Sequence, residues 1–209
     1  MSQETLTRAW EVLQDAYQAQ MEGDYDRAVE LYQSSLELHP TAEAHTFLGW
    51  TYHFQGKIDE AIAECRRAID LDPEFGNPYN DIGAYLIELN KFDEAIPWLE
   101  RAVEAQRYEP RHFPHYNLGR AYLGKEMYGR AQRCFQESLE IEPRYSLAKQ
   151  ALESLQRLVN SITCRALCSV RSALCTVIRV PCALPRWSSD SCSTPCDAAS
   201  AASPRRRPS

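Results

Sequence analysis

This sequence predicts an all-α solenoid: four helix pairs in series, closed by a capping helix that ends near residue 160. Three observations carry that reading. A small residue recurs as Ala16, Gly49, Gly83 and Gly119, at intervals of 33, 34 and 36 residues. An alanine follows each one twelve places on (Ala28, Ala61, Ala95, Ala131), and four further on stands a bulky or sulfur-bearing side chain (Tyr32, Cys65, Leu99, Phe135). Three of the units then close on a proline, Pro40, Pro73 and Pro143. A period in the thirties marks stacked supersecondary units, none of which buries its apolar face alone.

The units run over about 9–41, 42–75, 76–111 and 112–144, with the cap over 145–160. The second unit shows the plan most clearly. Residues 42–55 place Phe47, Leu48, Tyr52 and Phe54 at the three-to-four spacing of a buried helical stripe. Gly56 ends that helix as a left-handed cap, and a second period restarts over 58–71 through Ala61, Ile62, Cys65, Ala68 and Ile69. Asp72-Pro73 stops it, because proline cannot continue a helix. Gly49 and Ala61 let the two helices of the pair approach closely. The third unit is longer, with residues 105–110 replacing a short link; such an insertion is cheap in loop entropy and is expected to re-aim the next pair, a contact loop being the alternative. After Pro143, Leu147, Ala148, Ala151, Leu152, Leu155 and Leu158 keep helical spacing, with Lys149, Gln150, Glu153 and Arg157 facing away. That pattern predicts a helix that covers the exposed end of unit four.

These columns resemble the tetratricopeptide repeat family, whose motif sets Trp, Leu-Gly, Tyr, Ala, Phe or Tyr, Ala and Pro at fixed offsets. Unit two matches with Leu48-Gly49, Tyr52, Gly56, Ala61, Ala68 and Pro73. Unit three offers Tyr79, Ile82-Gly83, Phe92, Ala95 and Ala102; unit four Leu118-Gly119, Tyr122, Tyr128, Ala131, Phe135 and Pro143. Unit one departs most, with Asp15-Ala16 in place of Leu-Gly, although Gly23, Tyr25, Ala28, Tyr32 and Pro40 fit. The resemblance covers about 135 residues and implies a right-handed solenoid.

The chain carries 23 basic and 29 acidic residues, a formal net charge of −6. Seven arginines and two aspartates fall after residue 160, so the first 160 residues hold 16 basic and 27 acidic side chains, a balance of −11. Such a surface repels phosphate backbones, which argues against nucleic acid and for protein partners or basic ligands. The first residues lack the basic flank and apolar run of a secretory signal, and no stretch is apolar enough to span a membrane. A cytoplasmic location is the expectation. Cys65 and Cys134 sit inside helical patterns as small buried hydrophobes.

At Ser161 the composition turns to Ser, Cys, Ala, Arg and Pro. Residues 161–209 are expected to be largely disordered, with little to bury over 185–209. Two other readings of the tail stay open. Residues 162–179 place Arg165, Arg171 and Arg179 opposite Ile162, Leu167, Val170, Leu174 and Val177, a basic amphipathic pattern; alternatively the tail is an off-frame extension. Cys164, Cys168, Cys175, Cys182, Cys192 and Cys196 lack the tight paired spacing of a zinc site, while disulfides or lipidation remain alternatives.

No constellation for catalysis stands out. The glycines occupy packing and turn columns rather than a phosphate-cradling loop. His112 and His115, and His45 and His53, share helix faces without an acidic or cysteine ligand beside them. The chain is therefore read as non-enzymatic, with no metal and no cofactor. What the resemblance implies instead is a concave groove lined by the first helix of each pair. The groove positions hold Trp50 and His53 in unit two, Asn77, Asn80 and Asp81 in unit three, and Tyr116, Asn117 and Arg120 in unit four. Aromatic side chains supply contact area and amides pair with an extended backbone, which is what peptide recognition needs.

The carboxylate clamp by which one subclass grips chaperone C-termini requires lysines. The matching places hold Leu13, Tyr17, Phe47, Asn77 and Asp81, or Thr46, Trp50, Asp81, Phe113 and Asn117, so clamping is not expected. The expected function is an adaptor that binds a peptide segment of a protein partner. The alternatives are an assembly module that self-associates through repeat edges, and an accessory subunit of a larger enzyme complex. Within the groove, Trp50, Tyr116, Asn117 and Arg120 are expected to form one patch, and alanine at Trp50 or Asn117 to spare folding.

Overall fold

The computed structural model describes residues 2–178, with side chains through residue 163. Nine helices are present among the described residues: α1 (Gln3–Glu22), α2 (Tyr25–Leu38), α3 (Ala42–Phe54), α4 (Ile58–Leu71), α5 (Asn77–Glu88), α6 (Phe92–Glu104), α7 (His112–Gly124), α8 (Tyr128–Ile141) and α9 (Ser146–Ile178). α1 packs on α2, α3 on α4, α5 on α6 and α7 on α8, and each second helix also packs on the first helix of the following pair. This is the all-α solenoid the periodicity predicts. The chain divides into two compact units, residues 1–161 and 162–209.

The recurring columns form the core. Ala16, Ala28, Ala61, Ala95 and Ala131 are fully buried, as are Tyr32, Cys65, Leu99 and Phe135. One apolar cluster joins Leu13, Ala16, Ala28, Tyr32, Ala44 and Leu48 across the first two pairs. A second runs from Ala61 and Cys65 through Ile82, Leu99, Leu118 and Phe135 to Leu155 of α9. Half-buried Tyr52 packs against both.

Every turn within a pair places one residue in the left-handed region: Gly23 (φ 83°), Gly56 (φ 76°), Asn90 (φ 57°) and Glu126 (φ 58°). Glycine and asparagine tolerate that conformation; a glutamate does so at a cost of roughly 1–2 kcal/mol. Glu126→Gly is therefore expected to raise stability by about 1 kcal/mol in chemical denaturation, since the exposed side chain gives up no packing.

The long link of unit three is an ordered contact element. Phe75 and Arg107 form an isolated parallel bridge. The Gly76 amide donates to the Arg107 carbonyl at 3.0 Å, and the Arg107 amide to the Glu74 carbonyl at 3.1 Å. The Arg107 guanidinium lies 4.3 Å over the Phe75 ring and reaches back to Glu43 (2.6 Å) and Asp72 (2.5 Å). Buried Tyr108 packs where a side chain on residue 76 would stand, so the glycine there admits the link.

The cap differs from expectation in two ways. α9 does not end near 160 but continues to Ile178. Its buried seam is carried by Ala148 and Leu155, with Ala151, Leu152 and Val159 partly buried, whereas Leu147 and Leu158 are exposed. The core covers one side of the described part of this helix and leaves Leu147 and Leu158 in water. The expectations for disorder over 185–209 and for the cysteines from Cys164 to Cys196 lie outside the residues whose side chains are described. Among the described residues, no helix is long and apolar enough to cross a membrane.

Candidate functional site on the inner helices

The first helices of the pairs, α1, α3, α5 and α7, repeat one register, and residues within three places of the small-residue column meet across units two to four. Trp50 on α3 donates its indole N–H to Asp81 Oδ2 on α5 at 2.5 Å. Asn80 Nδ2 lies 3.4 Å from Asp81 Oδ1. Asn117 on α7 donates from Nδ2 to Asn80 Oδ1 at 2.9 Å, and Arg120 donates to Asn117 Oδ1 at 3.0 Å. The Arg120 guanidinium in turn lies 6.0 Å over the Tyr116 ring. Five polar side chains thus form one chain across units two to four. Alongside it His53 pairs with Glu88 at 2.9 Å and stacks on Tyr85, with ring centroids 4.6 Å apart.

Burial sets the electrostatics of this chain. Asp81 is enclosed by α3 and α5, and desolvation pushes its carboxyl up to about 7. Hydrogen bonds from Trp50 and Asn80 and the nearby His53 pull the other way without cancelling it. Burial also raises the Cys65 thiol, with Asp81 adding to the rise, so this cysteine is held as an inert thiol. The Tyr85 hydroxyl is buried without a hydrogen-bond partner.

The geometry places the eight expected residues unequally. Trp50, Asn80, Asp81, Asn117 and Arg120 are joined by hydrogen bonds, and Tyr116 is tied to them through Arg120. His53 stands beside them. Asn77 instead lines a recess of about 430 Å³ with Phe75, Gln106, Arg107, Tyr108, Glu109 and Arg111. Asn80, Asp81 and Asn117 are buried, and Trp50 and Tyr116 are half-buried against the core. Trp50 also packs edge-on to Phe47 at 5.3 Å, and Tyr116 contacts Phe135 and Tyr145. Alanine at Trp50 or Asn117 would therefore open packing and strip a partner from Asp81 or Asn80. That differs from the expectation that folding would be spared, because each side chain packs on and hydrogen-bonds its neighbours.

Three further histidines are engaged within the fold. His45 pairs with buried Glu64 at 2.7 Å, and His115 with Glu137 at 3.1 Å. His112 packs on Phe113 and Tyr145, and its burial lowers its pKa. Among the described residues, no group of three His, Cys, Asp or Glu side chains is placed to hold a metal.

Sequence reasoning left out a set on α1. Trp10, Tyr17 and Met21 are 60%, 44% and 66% exposed. Their spacing of seven and four residues puts them on one side of the helix, and this was the available signal. Tyr17 reaches Phe47 on α3, with ring centroids 5.8 Å apart.

Comparison with known proteins gives a consistent picture. Two models described as tetratricopeptide repeat match residues 15–74 and 75–143. The chain is 30% identical over 105 residues to small glutamine-rich tetratricopeptide repeat-containing protein 2 of Mycosarcoma maydis, covering 49% of this chain and 30% of that protein. It is 27% identical over 120 residues to the type IV pilus assembly protein PilF of Pseudomonas aeruginosa, covering 57% and 48%. The solved PilF structure superposes with a TM-score of 0.71 at 21% identity, over 76% of this chain and 72% of that one. The first TPR domain of Spaghetti (RPAP3), bound to the HSP90 peptide SRMEEVD, matches with a TM-score of 0.53 at 24% identity, over 57% and 93%. These structural likenesses show the fold. The chain spans less than a third of the length of the first relatives it matches.

Proposed function

The chain belongs to the tetratricopeptide repeat family, and from that premise we propose that it is a non-catalytic adaptor that holds a peptide segment of a protein partner along its inner helices. The observation that supports this reading is the Trp50–Asp81–Asn80–Asn117–Arg120 chain. It fixes aromatic and amide groups in one orientation across three repeats, so binding would order few side chains. Arg120 and Tyr116 at one end and His53 near the other are the accessible members, suited to a peptide carbonyl or carboxylate and to apolar side chains. The Spaghetti neighbour carries its peptide on the same fold. Here, however, the clamp places hold no lysine, so the ligand differs from a carboxylate-terminated chaperone tail. The acidic balance favours a neutral or basic segment over nucleic acid, and the interior of the cell is the proposed location.

The test uses Arg120 and Phe54, neither of which is buried; Phe54 is 54% exposed. Capture from native-host lysate with the full chain, read by mass spectrometry, identifies a partner. The Arg120→Ala/Phe54→Ala double variant is expected to weaken that partner's binding at least about tenfold with helix content unchanged, and to lower the melting temperature only modestly, because Asn117 loses the Arg120 bond and Tyr25 the Phe54 ring. Undiminished binding would remove the groove reading. If the same partner were instead lost on Leu147→Asp/Leu158→Asp, the contact would lie at the solenoid's end, as in an assembly module.

A further inference from the structure

Asp81 is buried where units two and three meet, and the fold sets no lysine or arginine against it. Its oxygens face two neutral donors, the Trp50 indole N–H of α3 at 2.5 Å and Asn80 Nδ2 at 3.4 Å. The Tyr85 hydroxyl, one turn along α5, is buried and donates to nothing. The remaining groups that act here bring no positive charge to spare. From α3, His53 is already paired with Glu88 of α5. From α4 come the Cys65 thiol and Glu64, the latter held by His45 and Arg67. Tyr108 of the long link adds a neutral hydroxyl, and α6 meets α5 through apolar Leu99 at Gly83. On α7, Arg120 stops at Asn117, which reaches Asp81 only through Asn80. As an acid Asp81 suits this set of partners. As a carboxylate it is a buried charge with too few donors, which is costly.

We propose that Asp81 is a proton-operated latch between units two and three: as an acid it holds α3 against α5, and on ionising it lets the two part so that water reaches the carboxylate. This goes beyond the adaptor reading and does not depend on it. Burial fixes the sign. The closed site, its carboxyl pushed up to about 7, keeps the proton more tightly than an opened site in water does. Opening therefore releases a proton. It grows as pH climbs from about 4 towards about 7 and levels off above that, where both forms are ionised. A reporter stands behind the latch. The Cys65 sulfur packs against Gly49, the residue before Trp50, is fully buried, and its thiol feels the Asp81 charge. Separation of α3 from α5 uncovers it. Cys134 is buried on α8 of unit four, away from the latch, and stays covered until the array as a whole unfolds.

The test is labelling of the full chain with excess dithiodipyridine, which reacts with thiols in acid as well as in neutral solution. Peptide mass spectrometry reads Cys65 and Cys134 separately. Their ratio removes the reagent's own pH dependence and the share of labelling that comes from global unfolding. In the native chain the Cys65-to-Cys134 ratio is expected to rise at least about tenfold between about pH 5 and pH 7, where linkage allows up to about tenfold per pH unit. Asp81→Asn keeps an oxygen for the Trp50 indole and removes the charge, so its ratio should stay within about twofold over that range. Trp50→Phe keeps an aromatic ring but removes the N–H that pulls the carboxyl down, so its ratio should go on rising past pH 7 instead of levelling off. A flat ratio in the native chain overturns the proposal, including the case in which both cysteines gain together because ionisation melts the whole array. An equal rise in Asp81→Asn overturns it too. Should Asp81→Asn fail to fold, the Trp50→Phe profile decides: levelling off at the native pH sinks the latch.

Discussion

Gly119→Ala is expected to cost at least about 2 kcal/mol, while the same change at the equivalent Gly49 is nearly neutral. A Cβ at Gly119 would stand 2.5 Å from Cδ1 of Phe135, a rigid ring that is fully buried and has nowhere to move. At Gly49 the nearest atoms are the Ala61 carbonyl oxygen at 3.2 Å and the Cys65 sulfur at 3.3 Å, so the neighbours need give only a few tenths of an ångström. Two effects compete. Alanine gains up to about 1 kcal/mol over glycine within a helix, which offsets the mild contact at Gly49. It cannot offset overpacking against Phe135. In thermal melts the loss at Gly119 corresponds to a fall of roughly 4–8 °C for a domain of this size. Phe135→Leu in the Gly119→Ala background should recover part of it by clearing the ring. Equal melting temperatures for the two alanine variants would show that the close approach of α7 to α8 is not what the glycine supports.

Asp81→Asn is expected to stabilise the protein at alkaline pH and to flatten its dependence on pH. The folded state holds the Asp81 proton more tightly than the unfolded chain, with the carboxyl raised from 3.8 to about 7 by burial. A raised pKa contributes stability that is fully present below the unfolded value and is lost as pH climbs through the folded one. The native chain should therefore weaken between about pH 4 and pH 7, from this group, by up to roughly 4 kcal/mol at about 1.4 kcal/mol per pKa unit. Asparagine keeps an oxygen to accept the Trp50 indole N–H and removes the buried charge. Urea denaturation of both proteins should show the variant gaining on the native chain by roughly 2–4 kcal/mol at about pH 8, and converging with it near pH 4. A difference that stays constant across that range would place the carboxylate in contact with water and remove the explanation.

The architecture was legible because it is written in short-range terms. Gly56 and Ile58–Leu71 follow from capping and period alone, and the structure returns that helix with the same bounds. The left-handed turns at Asn90 and Glu126 were not legible, since neither residue type demands that conformation; there the packing of the pair imposes it. The length of α9 and the exposure of Leu147 and Leu158 depend on how much surface unit four offers to cover, which no local pattern records. Trp10, Tyr17 and Met21 were visible as a spacing, but only their exposure among the described residues distinguishes an open row from a buried one.

The polar chain on the first helices divides in the same way. Register put Trp50, Asn80, Asp81, Asn117 and Arg120 on the first helix of each pair, and the family resemblance implied that those helices are the inner ones. That Asn117 and Asn80 share a hydrogen bond across 37 residues, and that Trp50 closes over Asp81, was decided by the stacking of one repeat on the next. By itself the sequence determined the repeat, its small-residue columns and the acidic sign of its surface, because those are properties of single positions and their periods. Tertiary structure alone decided which polar groups satisfy one another and which apolar ones stay in water, because burial and hydrogen bonding are properties of pairs that meet only once the helices have packed.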